Sequence, residues 1–233
     1  VLHLPRRKAA STNRDLKLAL VGCPNVGKSS LVNRIVGSDS AIVDSRPGTT
    51  RDSIDTLVRW HGRDLVLVDT AGIKRKSRTK DGLSAITALK SIDSISRAEI
   101  IALVLDASRE LSNQDVKVAS YAHKAGKGIM ICVNKWDLVE KETGTASTFE
   151  KRIRRSLRFM GYAPMLFVSA LEGQRVNKIF ELAWQIKESR EKRITTSEVN
   201  RFLENLIART PPPAHGGGNG RVYYGSQVDT APP

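Results

Sequence analysis

Long apolar runs are missing from this 233-residue chain; the longest, Ile100 to Leu105, falls far short of the roughly 20 residues a spanning helix needs. A chain free of the membrane, without a lipid anchor, is therefore expected. Cysteine is scarce too. Cys23 and Cys132 are the only two, they show no metal-ligand spacing, and they belong to separate predicted elements. Reduced thiols in a reducing compartment follow, rather than a disulfide framework. Acidic residues are outnumbered, 24 Asp plus Glu against 38 Lys plus Arg, and the formal charge is +14. That imbalance points to a polyanionic partner, RNA being the natural candidate, with a merely solvated basic surface as the alternative. No collagen, coiled-coil or disordered composition is present, and 40% hydrophobic content suffices for one large α/β domain plus a smaller appendage.

What the chain does have is a phosphate-binding loop. Residues Gly22-Cys23-Pro24-Asn25-Val26-Gly27-Lys28-Ser29 follow the apolar strand Leu16 to Val21 and open a helix that continues through Ser30. Loop amides and the helix N-terminus offer positive partial charge to phosphates, Lys28 reaches the β- and γ-phosphates, and the Ser29 hydroxyl can ligate Mg²⁺. A second string, Asn134-Lys135-Trp136-Asp137, closes the apolar run Ile129 to Val133. The Asp137 carboxylate can accept hydrogen bonds from the ring N–H and amine that guanine has and adenine lacks, so GTP and GDP are selected over adenine nucleotides. Ser169-Ala170-Leu171, after Met165 to Val168, would supply a backbone amide to the guanine carbonyl.

Between these lies Asp69-Thr70-Ala71-Gly72 after Leu65 to Val68. Asp69 would hold magnesium through water, and the Gly72 amide would contact the γ-phosphate, releasing the segment beyond when that phosphate is lost. Upstream, Pro47 to Asp52 reads P-G-T-T-R-D, and Thr50, preferred over Thr49, would be a second hydroxyl ligand to magnesium.

The organisation along the chain is a basic linker over 1–14, an ordered domain over 15–193 and a C-terminal segment over 194–233. Strands are expected at 16–22, 53–61, 64–69, 99–106, 128–134 and 165–169, with helices between most of them. This predicts a mainly parallel six-stranded sheet with helices on both faces, in which the 53–61 and 64–69 pair forms an antiparallel edge hairpin. Capping boxes are expected at Ser112-x-x-Asp115, Ser147-x-x-Glu150 and Thr195-x-x-Glu198. The helix from about 147 places Phe149, Ile153, Leu157 and Met160 on one stripe. Its remaining surface carries Lys151, Arg152, Arg154, Arg155 and Arg158, either a solvated face or an RNA-contacting one. A helix over 175–190 buries Val176, Ile179, Phe180, Ala183 and Ile186. The last helix carries a second apolar face of Val199, Phe202, Leu203, Leu206 and Ile207, then come Pro211 to Pro213, a Gly-rich stretch and a strand from Arg221 to Val228. One helix and one strand cannot enclose a core, so this segment is expected to begin a small domain. With no initiator Met and an end at Pro232-Pro233, the chain is expected to be a piece of a longer polypeptide.

With these residues in hand, the chain resembles the second GTPase domain of the Der (EngA) family, the bacterial double-GTPases, followed by the first part of their KH-like domain. The resemblance rests on P-N-V-G-K-S, P-G-T-T-R-D, D-T-A-G-I-K-R-K at 69–76, N-K-W-D and the late V-Y-Y-G-S-Q-V. It implies a P-loop G domain, an upstream GTPase domain, GTP-dependent assistance to large-subunit ribosome assembly through ribosomal RNA or the subunit, and a cytoplasmic setting, or an organelle matrix in a eukaryote. It also implies that the basic run Lys74, Arg75, Lys76, Arg78 and Lys80 moves with nucleotide state. Signalling GTPases place Gln after the D-x-x-G glycine, whereas here Ile73 has no polar atom to orient water. The resemblance points instead to GTPases that use K⁺, held partly by an asparagine matching Asn25; bracing of the loop is the other role open to that residue. The leading expectation is a slow, Mg²⁺-dependent, K⁺-stimulated GTP hydrolase in which Lys28, Thr50, Gly72 and Asn25 carry catalysis. The alternatives are a guanine-nucleotide-sensing RNA-binding module with little hydrolysis, and a tRNA-modification GTPase of the same superfamily.

Overall fold

A computed structural model describes residues 15–38, 41–47, 54–70, 92–212, 214–215 and 218–231. Its core is a sheet built from β1 (Leu16–Val21), β2 (Ala41–Pro47), β3 (Ile54–Trp60), β4 (Arg63–Leu67), β5 (Ile100–Asp106), β6 (Gly128–Asn134) and β7 (Met165–Phe167), in the order β2-β3-β4-β1-β5-β6-β7. The helices are α1 (Lys28–Val36), α2 (Asn113–Lys124), α3 (Thr145–Ser156), α4 (Lys178–Glu191) and α5 (Thr196–Arg209).

Every residue of β5 and β6 is buried, as expected for central parallel strands covered on both faces. β1 lies parallel to both β4 and β5, so the chain leaves β1 in one direction for β4 and returns to its other side for β5. The end of β1 is therefore the point at which strand order reverses, where α/β sheets open a crevice. β3 runs antiparallel to β4 through the turn His61-Gly62, whose φ values of 47° and 75° are both left-handed, as a two-residue hairpin matching strand twist requires.

All six expected strands are present, and a seventh was missed. β2 pairs antiparallel with β3 over Ala41 to Pro47 and takes the edge position expected of β3. Only Ile42 and Val43 in it are large apolar residues, and Pro47 ends it, so its sequence has neither a long apolar run nor sustained alternation.

Two capping boxes form as expected: Ser112 with Asp115 at α2 and Thr195 with Glu198 at α5. The third does not. α3 begins at Thr145 behind Gly144 in a left-handed conformation, and Ser147 sits inside its first turn. Thr145 Oγ1 instead accepts from the Glu142 amide at 2.8 Å. The stripe Ile153, Leu157 and Met160 is buried, with Phe149 half-buried against it. Arg154 leaves the expected basic face and donates to the Met160 and Ala163 carbonyls at 3.1 and 2.7 Å, closing the turn after α3. On α4, Ile179, Phe180 and Ala183 are buried, as is Val176 just before it, while Ile186 is half-buried.

The segment from Arg221 to Val228, expected as a strand, forms no ladder among the described residues. A strand needs a neighbour for its N–H and C=O groups, and here one side-chain amide, that of Asn200, serves Gly225 instead, while the segment's own Gln227 reaches out to the backbone before α5. Asn200 accepts from the Gly225 amide at 2.9 Å and donates to its carbonyl at 3.1 Å, while Gln227 accepts from the Ile194 amide at 2.7 Å. A Cβ on Gly225 would stand 2.6 Å from Leu203, so a glycine lets the segment lie flat on α5. The expected apolar face of α5 is thereby split: Val199, Leu203 and Ile207 are half-buried, Phe202 and Leu206 exposed. Among the described residues no helix is long and apolar enough to cross a membrane.

Candidate functional site

The loop after β1 is shaped by close backbone approaches. A Cβ on Gly22 would overlap the Val104 carbonyl of β5, and one on Gly27, whose φ is 95°, would overlap the Asn134 side-chain amide. No other residue fits either place. Asn25 is left-handed too, with φ 64°, and exposed. α1 starts at Lys28 behind Gly27, which has no side chain to cap the first turn. The N-terminal end of a helix favours anions. Lys28 Nζ donates to the Gly22 and Cys23 carbonyls at 2.7 and 2.5 Å, so its ammonium hangs over the loop.

Beneath the loop, Asp115 of α2 is almost wholly buried, and Arg109 grips it with two bonds of 2.7 and 3.0 Å. Burial opposes ionisation of Asp115, but the Arg109 and Ser112 hydrogen bonds outweigh it and hold the carboxyl down at about 2. Burial, with a bond to Asp115, pushes the Cys23 thiol up to about 12; burial alone does the same to Cys132. Both cysteines are free and buried, inert as thiolates near neutral pH.

The end of β6 supplies the second half. Asn134 is 1% exposed; its amide donates to the Val26 carbonyl at 2.9 Å, and its carbonyl accepts from the Ala170 amide at 3.0 Å. One carboxamide thus ties the phosphate loop, the strand end and the Ser169-Ala170-Leu171 turn together. The Ala170 amide is thereby engaged with Asn134. Lys135, with φ 62°, pairs with Asp106 at 2.6 Å. Burial disfavours the Asp106 charge, yet bonds from Lys135 and Ser108 pull its pKa below the ordinary carboxylate range. Trp136 is buried against Phe167 and Phe149, with ring centroids 4.4 and 5.1 Å away, and anchors the turn that presents Asp137.

Asp137 Oδ1 is buried without a hydrogen-bond partner among the described residues. An orphan acceptor of that kind costs free energy unless a ligand donor meets it, and a purine N–H or exocyclic amine is such a donor. Ser169 is fully buried, its hydroxyl accepting from the Glu172 amide at 3.0 Å, while Leu171 is 74% exposed.

The structure thus brings Gly22 to Ser30, Asn134 to Asp137 and Ser169 to Leu171 to one side of the sheet. Asp69 follows β4 at the same end of the sheet as the loop, because the Val68 amide bonds the Leu18 carbonyl of β1 at 3.0 Å. The Asp69 backbone is left-handed, φ 57°, its carboxylate accepts from Ser94 Oγ at 3.2 Å and its amide bonds Asp55. Thr70 is buried, with its hydroxyl 2.8 Å from that of Thr56. Thr50, Ala71, Gly72, Ile73 and the basic run from Lys74 to Lys80 lie outside the described residues.

Two residues here escaped sequence reasoning. Arg34 on α1 donates through Nε to the Ala170 carbonyl at 3.0 Å and through its terminal nitrogen to the Leu171 carbonyl. Asp106 is the other. Neither belongs to a short motif; only the three-dimensional closure of α1 and β5 onto the turns gives them a role.

The chain matches the family model described as 50S ribosome-binding GTPase over residues 17–135, and that of the KH-domain-like C-terminal domain of EngA bacterial GTPase enzymes over 193–233. It is 44% identical over 233 residues to GTPase Der of Caldanaerobacter subterraneus subsp. tengcongensis, covering all of this chain and 53% of that protein. It is 42% identical over 233 residues to GTPase Der of Chloroherpeton thalassium, covering 54% of it. The chain spans about half the length of the curated relatives it matches. Among solved structures it is similar in fold to Era in complex with MgGDPNP and nucleotides 1506–1542 of 16S ribosomal RNA, with TM-score 0.54, 19% identity and coverage of 73% of this chain and 55% of that one. It is likewise similar to the bacterial selenocysteine-specific elongation factor EF-Sec, with TM-score 0.56, 20% identity and coverage of 78% and 30%. At those identities the likeness speaks to fold alone.

Proposed function

The chain belongs to the family of 50S ribosome-binding GTPases, in its Der (EngA) branch, and from that premise we propose that it is a GTP-binding, GTP-hydrolysing switch that assists assembly of the large ribosomal subunit. The observation that carries the nucleotide reading is the buried, unpartnered Asp137 Oδ1, held at a fixed distance from the phosphate loop by the Asn134 bridge. The Asp137 carboxylate asks for hydrogen-bond donors on a base, and the loop asks for anions at the other end of the same molecule.

Magnesium suits the donors available. Ser29 at the start of α1 and Asp69 beyond β4 offer a hydroxyl and a carboxylate at one end of the sheet, hard oxygen ligands of the kind Mg²⁺ takes, with Thr50 proposed as a further ligand. When bound, the ion neutralises charge between the β- and γ-phosphates. Asn25, exposed in its left-handed loop position, offers a carboxamide oxygen toward the proposed K⁺. Lys28 orients the phosphates, the loop amides receive their charge, and the Asp115–Arg109 pair keeps the loop floor from shifting.

Base choice is the sharpest test. Asp137→Asn should move preference from GTP toward xanthosine triphosphate, whose oxygen replaces the guanine amine; nucleotide competition reads the switch, and an unchanged preference refutes the assignment. Turnover should rise when Na⁺ is replaced by K⁺; equal rates in the two salts remove the role given to Asn25. Single-turnover hydrolysis by this chain separates an enzyme from a module that only senses nucleotide.

A further inference from the structure

Well away from the Asn134 bridge, three aromatic rings gather at the surface. Phe159 in the turn after α3 is 37% exposed and Tyr162 61%. His123 near the end of α2 lies between them, with ring centroids 5.4 and 5.9 Å away, and its Nδ1 is 3.0 Å from the Tyr162 hydroxyl. That bond fixes the Tyr162 ring at an angle of 41° to the imidazole instead of leaving it to rotate in solvent. Exposed aromatic surface of this kind is costly unless something covers it.

The rim is cationic. Arg158 precedes Phe159, Lys124 follows His123, and both are exposed, as is Arg155 one turn back. No ion pair holds Arg155, Arg158 or Lys124 among the described residues. Arg190 at the end of α4 donates to the Gly126 carbonyl at 2.8 Å and lies close enough to Tyr162 to act on its hydroxyl electrostatically. Flat rings ringed by unpaired guanidinium and ammonium groups suit a ligand that is both aromatic and anionic at short intervals. A nucleic acid strand with unstacked bases is such a ligand, whereas a duplex hides its base faces and offers phosphate alone.

We infer that the His123–Phe159–Tyr162 surface is a stacking platform for unpaired RNA bases, with Arg155, Arg158 and Lys124 tracking the flanking phosphates. The inference rests on the ribosome-assembly reading above and gives it a contact face within the G domain. It also resolves the two readings of the basic face after residue 147: its C-terminal end contacts RNA, and Arg154 does not.

The test is fluorescence anisotropy with a labelled 12-nucleotide single-stranded RNA and the same RNA annealed into a duplex, on the GDP-loaded chain. The single strand should bind more tightly than the duplex. Phe159→Ala and Tyr162→Ala should each weaken single-strand binding by about tenfold, the scale of one lost base stack. Tyr162→Phe should keep most of the affinity, which separates lost stacking from a lost fold. Arg158→Gln should weaken binding and lower the salt-dependence slope by about one. Equal binding of strand and duplex, or alanine variants that bind RNA like the parent, overturns the platform. GDP affinity and GTP turnover are read on the same samples. If these persist while RNA binding is absent, the platform falls and the GTPase reading stands; if GDP affinity is missing from the parent itself, the GTPase reading falls.

Discussion

Arg34 and Ala170 stand 136 positions apart in the chain, yet Arg34 Nε donates to the Ala170 carbonyl at 3.0 Å. The guanidinium spans Ala170 and Leu171 and ties the turn after β7 to the helix that follows the phosphate loop. Arg34→Ala should loosen that turn and weaken GDP binding by about fivefold, a modest loss because the arginine is largely solvated. Dissociation of a fluorescent GDP analogue measures it. Thermal unfolding should hardly change.

Asn134 is buried, and its loss leaves the Val26 carbonyl and the Ala170 amide unpaired together. Asn134→Ala should cost about 2–6 kcal/mol of stability, since each of the two buried orphans costs about 1–3 kcal/mol. Urea unfolding with and without GDP would show it, and added GDP should recover little because the nucleotide site fails at the same time.

Two glycines with positive φ should respond differently to alanine. Gly27→Ala meets both a left-handed backbone and the Asn134 amide, so severe destabilisation and loss of nucleotide binding are expected. Gly126, φ 63°, faces open space, so Gly126→Ala should cost only the backbone term, about 1–2 kcal/mol. Equal effects at the two sites would contradict the packing described around Asn134.

Acid stability should depend on Asp115. Its folded carboxyl titrates at about 2, below the unfolded value of about 3.9, so the folded state binds the proton less readily. Its stabilisation, about 2 kcal/mol, is therefore complete above pH 4 and lost as the pH falls through 2. Urea midpoints of the parent and Asp115→Asn should differ clearly at pH 6 and converge toward pH 2.

Both thiols should resist alkylation. With Cys23 and Cys132 pushed up to about 12 and buried, iodoacetamide at pH 8 should label neither until denaturant opens the fold. Mass spectrometry counts the adducts.

Much of this was legible in the sequence where one local pattern decides the outcome. β5 and β6 announce themselves as unbroken apolar runs, the loop at Gly22 to Ser29 by its spacing, and the Ser112 and Thr195 caps by residue type. What escaped depends on distant partners. β2 is a strand because β3 offers it a ladder, not because of its own composition. The Ser147 box was outcompeted by the glycine at 144, which begins the helix two residues earlier. Arg221 to Val228 has strand-like residues but no adjacent strand among the described residues, so Asn200 binds its backbone at Gly225, and its own Gln227 side chain holds the Ile194 amide. Arg34 and Asp106 gain their roles only when α1 and β5 close on turns far away in the chain.

The single Asn134 carboxamide between the phosphate loop and the Ala170 turn has an energetic corollary. Because it spans from loop to turn, the separation between the two ends of a bound nucleotide is set before the ligand arrives. Guanosine and pyrophosphate offered as separate molecules would each pay the full entropy of capture, while GDP pays it once. The covalently joined molecule should accordingly bind orders of magnitude more tightly than either fragment, so free nucleosides would compete poorly at this site.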